Sequence, residues 1–476
     1  MKILIVTNLY PPHYLGGYEV HCAQVAEALH KAGHQVLVLT STYGVPLTSV
    51  WTIRRRNDEV AGVSVHRRLH EYYFDPQPVV QWPWRILRAR RELQDVAQFR
   101  RAVEEFRPDV INWWNLNGLT KIILPLAKKW RTPDVHAVDD NWLIDDYGVA
   151  GRLAESFWQV LWDGEWGPHF LRPVLRWFGL RWERYVRGQG IPTRDFSHEP
   201  SCVCFLSDFL RVRHREAGLD FPLTKVIYGG VHVTRFFEPL PKRHAERAPL
   251  RVLYAGQITP DRGLQTIIEA YGHLSAAERE RMTLTVVGTG QVDYIQRIKA
   301  QAESLQLADR ISWLGKVAHE RIPDIYKSHD LFVFSSKRPE GLGFVSIEAL
   351  LAGCAVVTTG SGGAMEIASA ADLPLFPKDD SVALSRLLAK LVMERQEVLN
   401  IASRGQAVAL RMFSFERMIG EWVRVFEDLV GQGCQTDAHK DYLLENSQTP
   451  RLLALRYDLK APNSNQQHFL EKPQIS

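Results

Sequence analysis

The sequence predicts an α/β protein built from two doubly wound blocks that face each other across a cleft. Three observations carry this reading. Short apolar runs recur along the chain, many of them lead into loops with glycine or proline, and apolar stripes at helical spacing lie between one run and the next. A continuous apolar run is the pattern of a strand buried on both faces, and strands alternating with helices build parallel sheets. At 476 residues the chain has room for two such blocks and a tail.

The first block is placed at 1–238. It opens with the run 3–6, followed by a loop from Asn8 to Gly17 that holds two prolines and two glycines. Val20, Ala23, Val25, Ala26 and Leu29 then give a helical stripe that Gly33 ends. Further strands are expected at 36–39, 63–66, 110–113, 135–138, 203–206 and 226–228. The charged stretch 88–106 reads as a surface helix, and 142–190 as a Trp- and Arg-rich helical insertion. Residues 239–249, with Pro239, Pro241, Lys242, Arg243 and His244, read as a linker. The second block, 250–410, has strands expected at 252–254, 284–287, 311–313, 331–334, 355–358 and 373–375, with helices such as 264–274 and 345–351 between them. A closing helical segment occupies 411–434. From 435 to 476 the chain is polar and aperiodic, the pattern of a disordered tail with a short helix near Leu452.

Composition bounds the function. Hydrophobic residues make up 45% and charged residues 24%, which excludes a fibrous or wholly disordered chain. The 58 basic and 54 acidic residues leave a net +4, too little over this length to argue for nucleic acid. Five cysteines are an odd, sparse set, so a disulfide framework is not expected and a reducing, cytoplasmic setting is. The N-terminal apolar run is too short for a signal peptide, and no run approaches the ~18 apolar residues of a membrane span. Cys202 and Cys204 share a strand face and read as buried hydrophobes. His136, on one strand face with Val138, reads as a satisfied core or edge histidine. No His, Cys or carboxylate cluster has metal-ligand spacing, so no metal and no cofactor are expected.

Four loops carry the chemistry. The strongest runs Arg338-Pro339-Glu340-Gly341-Leu342-Gly343-Phe344 and continues into a helix holding Glu348. Gly341 and Gly343 let backbone approach a ligand, and the helix start points free N–H groups and a positive dipole end at the same spot. Ionised carboxylates accept hydrogen bonds only, so Glu340 and Glu348 suit vicinal sugar hydroxyls; each is equally an ordinary helix-start or surface acid. Thr359-Gly360-Ser361-Gly362-Gly363 is either a second anion nest or a tight turn. The loop ending in Gly16-Gly17 lacks the glycine spacing of a dinucleotide site, which disfavours a dehydrogenase. In Gly256-Gln257-Ile258-Thr259-Pro260-Asp261-Arg262-Gly263, Arg262 beside a helix N-terminus makes most sense with an anion between them; a solvated arginine is the other reading.

These stretches resemble the retaining glycosyltransferases of family 4, which have the GT-B fold of two Rossmann-like domains. The resemblance covers about 1–430 and rests on the Glu-Gly-Leu-Gly-Phe turn with Glu340 and Glu348, the Gly362-Gly363 turn, the Gly16-Gly17 loop and Tyr228-Gly229-Gly230-Val231, where Gly229 replaces the usual Asn. Trp313-Leu314-Gly315-Lys316 and Phe413-Ser414-Phe415-Glu416 add to it. It implies an acceptor-side first domain, a second domain that binds a nucleotide-sugar, and a last helix crossing back to the first. It also implies roles. Glu340 binds donor hydroxyls near the reacting carbon, Glu348 holds the ribose, Arg262 replaces a lysine that neutralises the diphosphate, and Gly315 and Lys316 lie at the strand end beside the base. Gly16 and Gly17 form the phosphate and acceptor loop. Family members of this kind work without a metal.

Two positions depart from the family pattern. Gln257 stands where an arginine is usual, and Asp139 stands in the place of a histidine near the reacting carbon, followed by Asp140. Asp139 either hydrogen-bonds a sugar hydroxyl as a catalytic-site group or caps the next helix. The segment 142–187 holds Trp142, Trp158, Trp162, Trp166, Trp177 and Trp182 interleaved with Arg152, Arg172, Arg176, Arg181, Arg184 and Arg187. It reads as a membrane-interface helix, as a sugar-stacking wall, or as an ordinary amphipathic helix.

The reading is therefore a metal-independent retaining glycosyltransferase that acts on a sugar or lipid-linked acceptor, for instance in polysaccharide biosynthesis. It would lie in the cytoplasm or peripherally on the inner membrane surface. The rivals are a non-catalytic nucleotide-sugar-binding protein and a nucleotide-sugar epimerase of related fold.

Overall fold

A computed structural model of the chain describes residues 1–45, 56–72, 82–147, 155–194, 198–240 and 248–433. The chain divides into the units Met1–Val430 and Gly431–Ser476; of the second, only the end of the last helix is described. Most of the expected linker, residues 241–247, and the whole expected tail, with Cys434 and Leu452, lie outside the described residues.

Unit Met1–Val430 holds two sheets. The first has eight strands in the order β3-β4-β2-β1-β5-β6-β7-β8. These are β1 (Lys2–Thr7), β2 (Gln35–Ser41), β3 (Arg56–Val60), β4 (Val63–Leu69), β5 (Val110–Trp113), β6 (Asp134–Val138), β7 (Cys202–Phe205) and β8 (Thr224–Val226). All pairings are parallel except β3 with β4. The second sheet is wholly parallel, β11-β10-β9-β12-β13, from β9 (Leu250–Ala255), β10 (Met282–Val287), β11 (Ile311–Gly315), β12 (Leu331–Phe334) and β13 (Ala355–Thr358). In both sheets the strand order reverses beside the first strand, at β1/β5 and at β9/β12. Such a switch point opens a crevice at the carboxyl ends of the strands.

The helices in chain order are α1 (Gly17–Lys31), α2 (Trp82–Phe106), α3 (Leu124–Ala127), α4 (Trp142–Tyr147), α5 (Glu155–Asp163), α6 (Arg172–Gly188), α7 (Asp208–Glu216) and α8 (Val233–Phe236). Then come α9 (Leu264–His273), α10 (Ala276–Glu280), α11 (Val292–Ser304), α12 (Ile322–Lys327), α13 (Phe344–Leu351), α14 (Ala364–Ala371), α15 (Ser381–Met393), α16 (Arg395–Met412) and α17 (Phe415–Gly433). The last helix belongs to the first half's core. Phe415, Met418, Trp422, Val425, Phe426 and Leu429 recur every three or four residues and cluster with Ile3, Ile5, Val135 and Ala137 of the sheet and Cys22 and Val25 of α1. Burying each large side chain there stabilises the fold by roughly 1.5–3 kcal/mol. The segment after β8 is zipped to the same helix's start, with Val231 N donating to Phe413 O at 2.8 Å and Phe415 N to Val231 O at 3.1 Å.

Several expectations shift. The strand expected at 226–228 lies at Thr224–Val226, and 373–375 contributes a single bridge, Thr358 to Leu375, in place of a strand. The polar run Arg56–Val60 is a strand that hydrophobicity does not reveal, because an edge strand carries charge. The 88–106 helix starts at Trp82 and is not simply a surface helix. Its Glu92 and Asp95 are buried, Glu92 accepting from Trp158 Nε1 at 2.9 Å and Asp95 from Tyr72 Oη at 2.9 Å. Among the described residues no helix is long and apolar enough to cross a membrane.

Candidate active site

In the second half, glycine decides how closely the strand ends approach. After β9 the chain turns at Gly256, beside Gly288 (φ +135°), where a Cβ would lie 1.7 Å from the Gly256 carbonyl oxygen. Gly288 N in turn donates to Gly315 O at 2.9 Å, so three strand ends meet through backbone alone. After β12 come Ser335, Ser336 and the Glu340 turn. α13 then starts behind Gly343, whose φ of +94° suits glycine.

The 359–363 turn is pressed against this segment. Gly363 N donates to Glu340 O at 2.8 Å, and a Cβ on Gly363 would lie 2.1 Å from Gly341 O. Gly360 N donates to Thr358 Oγ1 at 3.0 Å. These two amides are committed to the chain, and through Gly363 the turn braces Glu340. Gly229 has a packing reason too: a Cβ there would lie 2.5 Å from the Phe344 ring, leaving no room for the usual Asn.

The first half contributes β6, which ends at Val138 and delivers Asp139. His21, five residues into α1, places Nδ1 2.6 Å from Asp139 Oδ2 and Nε2 3.2 Å from Met418 Sδ. With a proton on Nδ1, the imidazole donates to the carboxylate. The ring stands edge-on to Trp114 at 5.4 Å and to Phe344 at 5.6 Å, and is buried. Tyr18 Oη donates to Ala137 O at 2.6 Å and lies 3.4 Å from Asp139 N. The helix cap expected as one role for Asp139 falls to its neighbour: Asp140 Oδ1 accepts from Trp142 N at 2.9 Å.

Both halves close on one cavity of about 470 Å³. Gly17, Tyr18, His21 and Asp139 line it from the first half, and Gln257, Arg262, Ser336, Glu340, Gly341 and Gly343 from the second. Its sides are held together by Ser207 Oγ, which donates to Gly341 O at 2.5 Å. Glu366 adds a second tie, accepting from Asp208 N at 3.0 Å and Phe209 N at 2.7 Å at the start of α7. Burial raises the Glu366 carboxyl, and those two N–H groups oppose the rise. A carboxylate at a helix N-terminus is favoured by the dipole.

Charge is concentrated on the second-half side. Arg262 Nη1 forms an ion pair with Glu340 Oε1, and Ser336 Oγ donates to the same oxygen at 3.0 Å. Arg338 Nε lies 3.7 Å from both Glu340 Oε1 and Asp261 Oδ2. Tyr254 Oη, donating to Gln257 O at 2.7 Å, fixes the loop that carries Gln257, whose side chain is exposed.

Four expected residues lie off the cavity lining. Gly16 caps α1, its N–H donating to Glu19 Oε2 at 2.9 Å. Gly315 and Lys316 are exposed at the end of β11. Glu348 faces α12, where it hydrogen-bonds with Tyr326. Burial pushes its carboxyl up to about 7, against that bond and the charge of Arg235. His21, Tyr18 and Ser336 are lining residues that sequence reasoning missed. For His21 the one local signal is its place one turn into the helix that the Gly16-Gly17 loop opens.

The fold also gathers a cluster that spacing did not reveal. Asp134, His136 and His198 bring potential ligand atoms within 4.8 Å of one another, all buried. His136 is in the core as expected but not satisfied: among the described residues neither ring nitrogen has a hydrogen-bond partner, and burial lowers its pKa to about 3. Asp134 Oδ2 is already engaged by His198 Nε2 at 2.7 Å and Trp113 Nε1 at 2.9 Å. Asp134 and His198 thus form a hydrogen-bonded pair in the core, with the His136 ring stacked on Trp142 beside it. The four cysteines among the described residues, Cys22, Cys202, Cys204 and Cys354, are buried and form no disulfide with one another.

The Trp-rich insertion divides in two. Trp142, Trp158 and Trp162 are core residues, with Trp162 edge-on to Trp182 at 5.9 Å. Trp177 is exposed.

Comparison with known proteins agrees with this geometry. Residues 15–235 match the model of Glycosyltransferase Family 4, and 237–408 that of Glycosyl transferases group 1. An uncharacterized glycosyltransferase of Methanocaldococcus jannaschii is 24% identical over 449 residues, covering 90% of this chain and 98% of that one. Mannosylfructose-phosphate synthase of Agrobacterium fabrum is 34% identical over 168 residues, 32% of this chain and 36% of its own. The structure of Anabaena HepE in complex with UDP superposes with a TM-score of 0.62 at 20% identity, covering 90% of this chain and 100% of that one. With both halves matched and the two sheets arranged as in GT-B proteins, the chain belongs to the glycosyltransferases of the group 1/family 4 type.

Proposed function

We propose that the protein transfers a sugar from a nucleoside-diphosphate donor to an acceptor with retention of anomeric configuration, and needs no metal to do so. The observation that carries this is the shared cavity in which Arg262 and Glu340 of the second half face Asp139 and His21 of the first. The donor diphosphate would lie against Arg262, the Gly256-Gln257 turn and the N-terminus of α13, which together supply positive charge for the departing phosphate. Glu340, held by Ser336 and the 359–363 brace, would accept hydrogen bonds from donor hydroxyls near the reacting carbon. Glu348, Gly315 and Lys316 would serve the nucleoside, beyond the cavity lined here. HepE, solved with UDP-glucose and with UDP and glucose, supports a nucleotide-sugar in this fold.

Asp139 would accept a hydrogen bond from a sugar or acceptor hydroxyl, with its other oxygen fixed by His21. Retention is consistent with attack on the leaving-group side, where the departing phosphate oxygen takes the acceptor's proton. The acceptor enters from the first half, as a sugar or a lipid-linked sugar, and a lipid-linked acceptor would bring that half to a bilayer surface.

The test follows the slow hydrolysis of α-linked nucleotide-sugars by proton NMR, reading the first anomer released. Release of the α anomer supports retention. Release of the β anomer overturns it while leaving the site assignment standing, and a bound donor that is never cleaved supports the non-catalytic binder.

A further inference from the structure

The insertion between β6 and β7 leaves one face of α6 without a partner among the described residues. Toward the protein, α6 presents Gly179, Glu183 and Val186, all buried. A Cβ on Gly179 would lie 2.8 Å from the Leu161 and Trp162 carbonyl oxygens of α5, so the two helices pack in close contact. Glu183 locks the C-terminal end, accepting from Arg194 Nε at 2.7 Å, Arg187 Nη2 at 2.6 Å and Thr193 Oγ1 at 3.2 Å. The acid on this helix is therefore turned inward and neutralised.

The outer face is the reverse. Phe170 is 80% exposed, Val174, Trp177 and Phe178 are each more than half exposed, and Tyr185 is 65% exposed. Trp177 and Phe178 pack edge-to-face at 4.9 Å, and the Arg181 guanidinium lies 5.7 Å from the Trp177 ring centre. Arg181 and Arg184 are exposed among them, with no carboxylate partner among the described residues, while Arg176 lies on the inward side of the helix, its backbone packed against Gly164. Exposed large apolar side chains clustered with unpaired arginines are costly in water and mark a contact surface.

The geometry points to the face made by 170–171 and α6 as a docking surface for an anionic phospholipid bilayer. Charge complementarity selects that occupant: guanidinium groups bind phosphate bidentately, and the inward turn of Glu183 removes the one acid of α6 from the face. The apolar side chains insert at the headgroup boundary, while Trp177 and Tyr185 keep a polar edge toward it. The insertion starts at α4, whose Trp142 N–H is capped by Asp140, itself a lining residue of the cavity, so the bilayer meets the half that carries Asp139 and His21. This goes beyond glycosyl transfer and does not depend on it.

The experiment is co-sedimentation of the full chain with vesicles of phosphatidylcholine alone or mixed equally with phosphatidylglycerol, at low and high salt. Wild type is expected to bind the anionic vesicles at least about tenfold better, and salt to weaken the binding. Replacing Arg181 and Arg184 by Gln should lose about tenfold or more, and Trp177→Ser with Phe178→Ser should lower binding at every salt concentration. Arg297, Arg386 and Arg411, exposed arginines of the second half, replaced by Gln serve as the control and should bind as wild type. Thermal unfolding of each variant checks that it is folded. Equal binding to both vesicle types, or variants indistinguishable from wild type, would overturn the proposal. A wild-type dimer in solution that Trp177→Ser with Phe178→Ser dissociates would instead assign the face to a second copy of the chain, and would also overturn it.

Discussion

The two halves of Met1–Val430 share a strand order around their first strand and differ in how each builds its wall of the cavity. The second half works through backbone. Gly256, Gly288, Gly343 and Gly363 let strand ends and turns approach where a Cβ would collide or strain the chain, and the charged pair Arg262 and Glu340 sits on that frame. The first half works through side chains brought from far apart. His21 and Asp139 are 118 positions apart and joined by one bond of 2.6 Å, with Met418, from the helix that returns from the second half, behind the imidazole. A diphosphate asks for N–H groups and positive charge that a local turn can offer, whereas an acceptor pocket is shaped by whatever side chains tertiary packing delivers.

That comparison can be broken at four places, in descending order of expected effect. Glu340→Gln should lower kcat by roughly 10²–10³-fold with a smaller change in donor KM, because its hydrogen bonds tighten in the transition state. A variant with wild-type kcat would remove Glu340 from the reaction. Arg262→Ala should cost about 10²-fold in kcat/KM and weaken binding of the free nucleoside diphosphate, measured by calorimetry. Unchanged diphosphate affinity would leave Arg262 a structural partner of Glu340 and no more.

His21→Gln tests the first half. Losing the imidazole that orients Asp139 should lower kcat about tenfold and change its pH profile, while thermal stability and donor KM stay close to wild type. If kcat and its pH profile are those of wild type, Asp139 needs no such partner.

Glu348→Gln should have the smallest effect on turnover, raising donor KM a few-fold. Its clearer signature is in stability. The folded carboxyl is raised to about 7, so the native state holds a proton that the unfolded chain releases near 4.5. Stability therefore falls as pH rises through that window and is level above it. The Gln variant should gain relative to wild type by roughly 1–3 kcal/mol between pH 4 and 8 in urea unfolding. A pH-independent difference would contradict the buried, raised carboxyl.

The same contrast explains what the sequence showed. Every strand of the second sheet was legible as an apolar run, as was the Glu340–Gly343 turn, because glycine and charge beside a buried strand are local signals. The edge strand Arg56–Val60 was not, since an exposed edge needs no apolar side chains. The shared cavity drew in Asp139, Gln257, Arg262, Glu340 and Gly17 as one group, a grouping that motif position foreshadowed. His21 was invisible because its meaning depends on Asp139 and Met418. The Trp-rich insertion misled in one respect: three of its tryptophans build the core, and the exposed face owes as much to Phe170, Val174 and Phe178, which composition did not single out.

The most direct measurement is a thermal-shift panel of the purified protein against UDP, GDP and ADP and their common sugar conjugates, with the Arg262→Ala and Glu340→Gln variants alongside. A ligand that binds only the folded state raises the midpoint by mass action. One nucleotide family should raise it, the shift should shrink in Arg262→Ala, and the matching sugar conjugate should be slowly cleaved by wild type but not by Glu340→Gln. Folded wild-type protein that no nucleotide or nucleotide-sugar stabilises would contradict the cavity as a donor site.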